Sequence, residues 1–145
     1  MRRWRSQRGT ALVESAVIIP ILLLISVGIF EFGRAFQTWQ VLTNAAREGA
    51  RMSVLPNGAT GTVETRVRDY MQNGQLPEHA TAGVTVDRAA TIMVNGAPQG
   101  ASQIIIDYPF HFIVLQPVAR LVAPSSPTGS SVNMRAAALM RNEAQ

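Results

Sequence analysis

The sequence predicts an α+β fold: a long N-terminal helix extending into a small domain with a short helix and an antiparallel sheet of three to four strands. Three observations carry this. Residues 10–30 form one apolar run with a single charge. The pattern then continues with no proline from Phe32 to Val54, and beyond residue 83 it changes to alternation punctuated by turn residues. At 145 residues the chain fits one small domain plus an apolar helix.

The run TALVESAVIIPILLLISVGIF holds 21 residues with Glu14 as its only charge. As a helix it spans roughly 31 Å, matching a bilayer hydrocarbon core of about 30 Å. Arg2, Arg3, Arg5 and Arg8 precede it. Without these four, nine arginines face nine acidic groups, so the net charge of +4 resides in the leader. Such an excess beside an apolar run reads as a topology signal, with the N-terminus cytoplasmic, rather than as a nucleic-acid surface. A cleaved secretory signal would need a shorter apolar core and a small-residue cleavage site. The run leads instead into FEFGRAFQTWQ, so a retained anchor is expected.

The helix is expected to continue to about Val54, on the order of 65 Å in all, with Pro20 bending it and Pro56-Asn57-Gly58 as its stop. Ala35, Trp39, Leu42, Ala46 and Gly49 recur at three- and four-residue steps as an apolar stripe. Phe30, Phe32, Phe36 and Trp39 lie at the outer end. An aromatic belt accounts for some of them; for the last three, packing on the domain is an equal alternative. Glu14 is the residue that needs a partner, since a carboxylate deep in a bilayer costs about 2.5 kcal/mol or more. Either it snorkels to the inner headgroups, or it meets a cation created by processing or assembly.

Gly9-Thr10-Ala11-Leu12-Val13-Glu14, after an arginine-rich leader and before an apolar helix, resembles a type IV prepilin processing site. In that group a membrane-embedded aspartyl prepilin peptidase cuts after the glycine, and the glutamate becomes the fifth residue of the mature chain. The longer stretch RGTALVESAVIIPILLLISVGIFEFGRAFQTWQVLTNAAREGAR is similar to the TadE-like minor pilins, or pseudopilins, of tight-adherence (Flp) pilus systems. The proline in the run, the Glu31-Phe32-Gly33-Arg34 exit and the LTNAAREGAR segment carry the resemblance, with Met140-Arg141-Asn142-Glu143 a weaker echo of the family ending. Ser15 departs from the family, which commonly has an aromatic residue after the glutamate.

The resemblance implies cleavage at Gly9–Thr10, with Glu14 as an assembly contact for the new α-amino group of a neighbouring subunit. It also implies residence in the bacterial inner membrane with the C-terminal domain extracytoplasmic. The implied partners are the prepilin peptidase, the major Flp-type pilin, other minor pilins and the tight-adherence assembly machinery, in adhesion, biofilm formation or secretion. On this reading residues 1–9 are the leader, 10–30 the transmembrane helix, 31–54 its extension and 55–145 the small domain. The small residues Ala45, Ala46, Gly49 and Ala50 permit close approach, either of helices in a filament or of the helix to its own domain.

Residues 62–72 (TVETRVRDYMQ) predict a short helix with Val63, Val67, Tyr70 and Met71 on one side, charges Glu64, Arg66, Arg68 and Asp69 solvated, and Gly74 as its stop. Residues 83–87 and 91–94 alternate as strands before an Asn95-Gly96 turn. Residues 103–108 are β-branched and apolar; Pro109 is expected to end that strand or to put a continuation over 110–114 at a sheet edge. Residues 125–131 have the composition of a mobile loop. Over residues 132–141 the alanine run favours helix by propensity, the resemblance favours a last strand, and we assign a strand.

There is no cysteine, which excludes disulfides and thiol chemistry. His79 and His111 read as surface or edge histidines, the carboxylates Glu78, Asp87 and Asp107 are scattered, and no nucleophile or phosphate-loop motif occurs. No enzyme activity, cofactor, metal, nucleic acid or small-molecule substrate is expected. A structural assembly protein is the first reading. An unprocessed single-pass subunit of an envelope secretion or sensing complex is the alternative.

Overall fold

The computed structural model describes residues 5–55, 60–122, 125 and 129–142, with residues 5–8 and 121–122 described by their backbone alone. The expected stop at Pro56-Asn57-Gly58 and residues 126–128 of the 125–131 loop lie outside the described residues. The order of elements is α1 (Arg5–Ser53), α2 (Thr60–Asn73), β1 (Gly83–Val94), β2 (Ala97–Phe110), α3 (Leu115–Val122) and β3 (Val132–Arg141). The class is α+β, as predicted. The chain divides into two compact units. One takes Met1–Arg34 and Phe112–Gly129, the other Ala35–His111 and Ser130–Gln145.

The first unit contains α1 up to Arg34 and the short helix α3. Along α1 the side chains from Leu12 to Ile25 are exposed, from 72 % for Leu12 to 44 % for Ile18. An apolar surface of this extent is stable only in apolar surroundings. The helix starts at Arg5 rather than near Thr10 and runs through Pro20, which has no N–H to offer the carbonyl of Ala16. The continuation considered over 110–114 does not form beyond Phe110: residues 111–114 are irregular and lead into helix α3. Pro117 is its third residue, where a helix has no intrahelical use for an N–H, and the first bond closes from Val118 N to Val114 O at 3.1 Å.

The second unit packs α2 and the outer part of α1 on one face of a three-stranded antiparallel sheet, ordered β1-β2-β3. Its core is Leu42, Ala45, Ala46 and Ala50 of α1, Val63, Val67 and Met71 of α2, and Ile104, Ile106, Tyr108 and Phe110 of β2. The small-residue stripe is therefore used within the chain. A Cβ on Gly49 would come within 2.5 Å of Val67 Cγ2 and 3.4 Å of Ile104 Cγ1, so glycine there sets how closely α1, α2 and β2 approach. Phe32, Phe36 and Trp39 remain 70 %, 61 % and 48 % exposed, which rules out core packing for the three of them. The buried face is turned away from Trp39 and runs through Thr38, Leu42, Ala45 and Gly49.

Val94 pairs with Ala97 across Asn95-Gly96, whose φ angles of 52° and 80° make the predicted hairpin turn. The two short alternating segments belong to one strand. Between Asp87 and Ala90 the register slips by one residue, and Asp87 Oδ1 accepts from Ala89 N at 2.9 Å to hold the bulge. Pro109 lies inside β2, the central strand, and does not end it at 108. This is tolerated because β1 begins at Gly83, opposite Asp107, leaving β2 paired only with β3 at Pro109↔Asn133.

Helix α2 stops as a Schellman motif, with Gln75 N–H bonded to Gln72 O at 2.9 Å and Leu76 N–H to Met71 O at 3.1 Å. The left-handed residue is Gln75, at φ 58°, not the expected Gly74. Gly74 is instead a close-approach position: a Cβ there would lie 2.5 Å from Val41 Cγ1. Two charges expected to be merely solvated have tertiary partners. Arg66 reaches Glu48 at 3.2 Å, and Arg68 donates to the carbonyls of His79, Ala80 and Ala82 at 3.3, 2.9 and 3.0 Å.

Candidate functional site

Gly9, Thr10 and Glu14 all lie on the first turns of α1, and all three are exposed. The Gly9–Thr10 peptide is inside helix, and nothing lies within 4 Å of a Cβ built on Gly9. Glu14 is one helical turn from Thr10 on a surface otherwise lined by Leu12, Val13, Val17 and Ile18. A carboxylate exposed on such a surface is a strong point of attraction for a cation brought by another group, because no low-dielectric environment tolerates it unpaired.

A second carboxylate is handled differently. Glu31 follows the apolar run directly and is only 1 % exposed. Its Oε1 accepts the backbone N–H of Val114 and, at 3.3 Å, that of Leu115, while Oε2 accepts Arg34 Nη1 at 2.8 Å. These backbone donors are the free N–H groups at the start of α3, where the helix dipole also favours negative charge. Glu31 is thus a long-range cap: a side chain of α1 closes the N-terminus of α3. The sequence signal was available, since Glu31 is the first charge after the run and a carboxylate at that boundary demands a partner. Its partners are unreadable because they are backbone groups 83 and 84 residues away.

In the second unit Glu48 joins two helices. It accepts from Arg51 at 3.1 Å within α1 and from Arg66 of α2 at 3.2 Å. The hydrogen bond from Arg51 comes first among the causes that hold its carboxyl below the usual carboxylate range, and the one from Arg66 adds to it against the opposing effect of burial. His79 Nδ1 lies 2.8 Å from the carbonyl of Leu76, inside its own turn, and His111 is exposed. Asp107 faces Arg135 across β2 and β3 at 3.7 Å. These groups are not brought together. Among the described residues no group of three His, Asp or Glu is placed to hold a metal ion. Asn142 is tied back to β2, its N–H to Gly100 O at 2.9 Å and its Oδ1 accepting from buried Ser102 Oγ at 2.7 Å.

Among the described residues one helix is long and apolar enough to cross a membrane, and it carries the exposed carboxylate of Glu14 near its start. The family model of the TadE-like proteins matches residues 9–51, the stretch that opens at Gly9 and ends at the buried small-residue stripe. Over those residues, about the first third of the chain, the sequence is similar to the TadE-like family. No curated protein and no solved structure matches the chain.

Proposed function

We propose that this protein is a minor pilin, or pseudopilin, of a tight-adherence pilus, held in the bacterial inner membrane with its N-terminus cytoplasmic and processed by a prepilin peptidase between Gly9 and Thr10. Its role is structural rather than catalytic. The observation that carries the reading is the TadE-like match over residues 9–51, which includes the Gly9-to-Glu14 segment. Gly9 is also the place where the first turns of α1 are cheapest to unwind for a peptidase, since glycine is about 1 kcal/mol less favourable than alanine in a helix. After cleavage the amine of Thr10 and the carboxylate of Glu14 lie one turn apart. A filament could then pair the carboxylate of one subunit with the amine of the next, and the cost of a mismatched buried charge would fix the axial register.

Intact mass from cells with and without prepilin peptidase tests the processing. Loss of residues 1–9 only when the peptidase is present supports it, and a full-length chain in both strains refutes it and returns the protein to an unprocessed single-pass subunit. Glu14→Ala separates processing from assembly: that variant should still be cleaved yet fail to support pilus formation.

A further inference from the structure

Glu31 holds the start of helix α3 beside the end of the apolar span. The hydrocarbon core is about 30 Å thick and the bilayer with its headgroups about 40–45 Å, so each headgroup layer is several ångströms deep. Glu31 is one residue, about 1.5 Å of rise, beyond Phe30 at the end of the span. The backbone of Val114 and Leu115 is hydrogen-bonded to its carboxylate. The start of α3 is therefore one side-chain length from the residue that leaves the hydrocarbon.

The chemistry of the segment suits that depth. From Phe112 to Val122 the sequence FIVLQPVARLV has no acidic residue and one base, Arg120. Ile113 is 59 % exposed and Val118 36 %, beside Ile29, Phe30 and Phe32 of α1 at 71 %, 53 % and 70 %. Short apolar helices with a basic residue and no acid bind in the plane of the headgroups, where the base meets lipid phosphates. The cap also removes the one charge that would oppose this, because Glu31 faces backbone donors and Arg34 instead of lipid.

We propose that residues 112–122 form an interfacial foot: α3 lies in the outer headgroup layer with Ile113 and Val118 in contact with lipid, positioned by the Glu31 cap. The occupant of this exposed apolar face is the same bilayer that surrounds residues 10–30, so the inference rests on the span reading.

The absence of cysteine makes single-site labelling clean. Leu22→Cys, Ile113→Cys, Val118→Cys and Thr65→Cys variants of the full-length chain are labelled with a polarity-sensitive fluorophore. They are reconstituted in phosphatidylcholine–phosphatidylglycerol vesicles, with and without lipids brominated near the top of the acyl chain, and titrated with aqueous iodide. Labels at Ile113 and Val118 should be blue-shifted relative to Thr65, quenched by the brominated lipid, and about twofold or more less accessible to iodide. Iodide quenching equal to that at Thr65, with no lipid quenching, while Leu22 remains lipid-quenched, overturns the foot and leaves the span standing. Shielding from both quenchers assigns the face to protein and also overturns it. A Leu22 label open to iodide defeats the span and the foot together.

Discussion

Removing the Glu31 carboxylate tests the long-range cap most directly. In Glu31→Ala the N–H groups of Val114 and Leu115 lose their acceptor and Arg34 loses its nearest carboxylate. Hydrogen bonds to a charged acceptor contribute about 1.5–3 kcal/mol each. The Arg34 pair adds little, since Arg34 is 27 % exposed and ion pairs of that kind contribute about 0–1 kcal/mol. Alanine returns a few tenths of a kcal/mol as the better helix former within α1, and water can partly replace the lost acceptor. A net loss of about 2–3 kcal/mol follows, and it is local, because a helix of eight residues has no stability of its own. At about 1.4 kcal/mol per tenfold, amide exchange at Val118, Ala119 and Arg120 should accelerate by roughly 30- to 150-fold in the full-length protein in micelles. Exchange in β2 should hold constant. Glu31→Gln, which keeps the acceptor and loses the charge, should fall between. Unchanged exchange in α3, or equal acceleration in β2, would show that the contact does not hold the helix.

Three further outcomes follow from the second unit. Gly49→Val forces branched bulk against Val67 and Ile104 and should cost about 2–3 kcal/mol in denaturant unfolding, with much of it recovered in the double variant with Val67→Ala; strict additivity would deny the contact. Gln75→Gly relieves a left-handed side-chain residue and should stabilise by about 0.5–1 kcal/mol, whereas destabilisation would mean the side chain holds the turn. Glu48 has its folded pKa lowered, so its contribution is present above the unfolded value near 4.5 and is lost as pH falls through the lower folded value. Stability measured from pH 6 down to about pH 3 should therefore decline less steeply in Glu48→Gln than in the parent chain; parallel curves would remove Glu48 as a contributor.

Much of the architecture was legible because it is written in local patterns. The run over residues 10–30 is set by composition, α2 by Val63, Val67 and Met71 at helical spacing, and the hairpin by Asn95-Gly96, where two successive left-handed residues suit these types. The TadE-like segment was legible for the same reason, as contiguous sequence. What misled was proline. Pro109 suggested an interrupted strand, whereas it lies in β2 past the point where β1 begins opposite Asp107, so no bond to β1 is lost there.

The sequence by itself determined the helix that seeks apolar surroundings, the leader charge and the α+β class, since each depends on residues within a few turns of one another. Tertiary structure alone decided the rest. Ala136, Ala137 and Ala138 favour helix by propensity; the strand assigned there from the resemblance forms, as β3, because Ile106, Ile105 and Ile104 of β2 pair with them. The small-residue stripe of α1 went to its own sheet, and Phe32, Phe36 and Trp39 were left outward. Glu31, one of nine acidic residues in the chain, became the buried cap of a helix more than eighty residues away. Backbone donors carry no side-chain signature, so only the folded chain could reveal that partner.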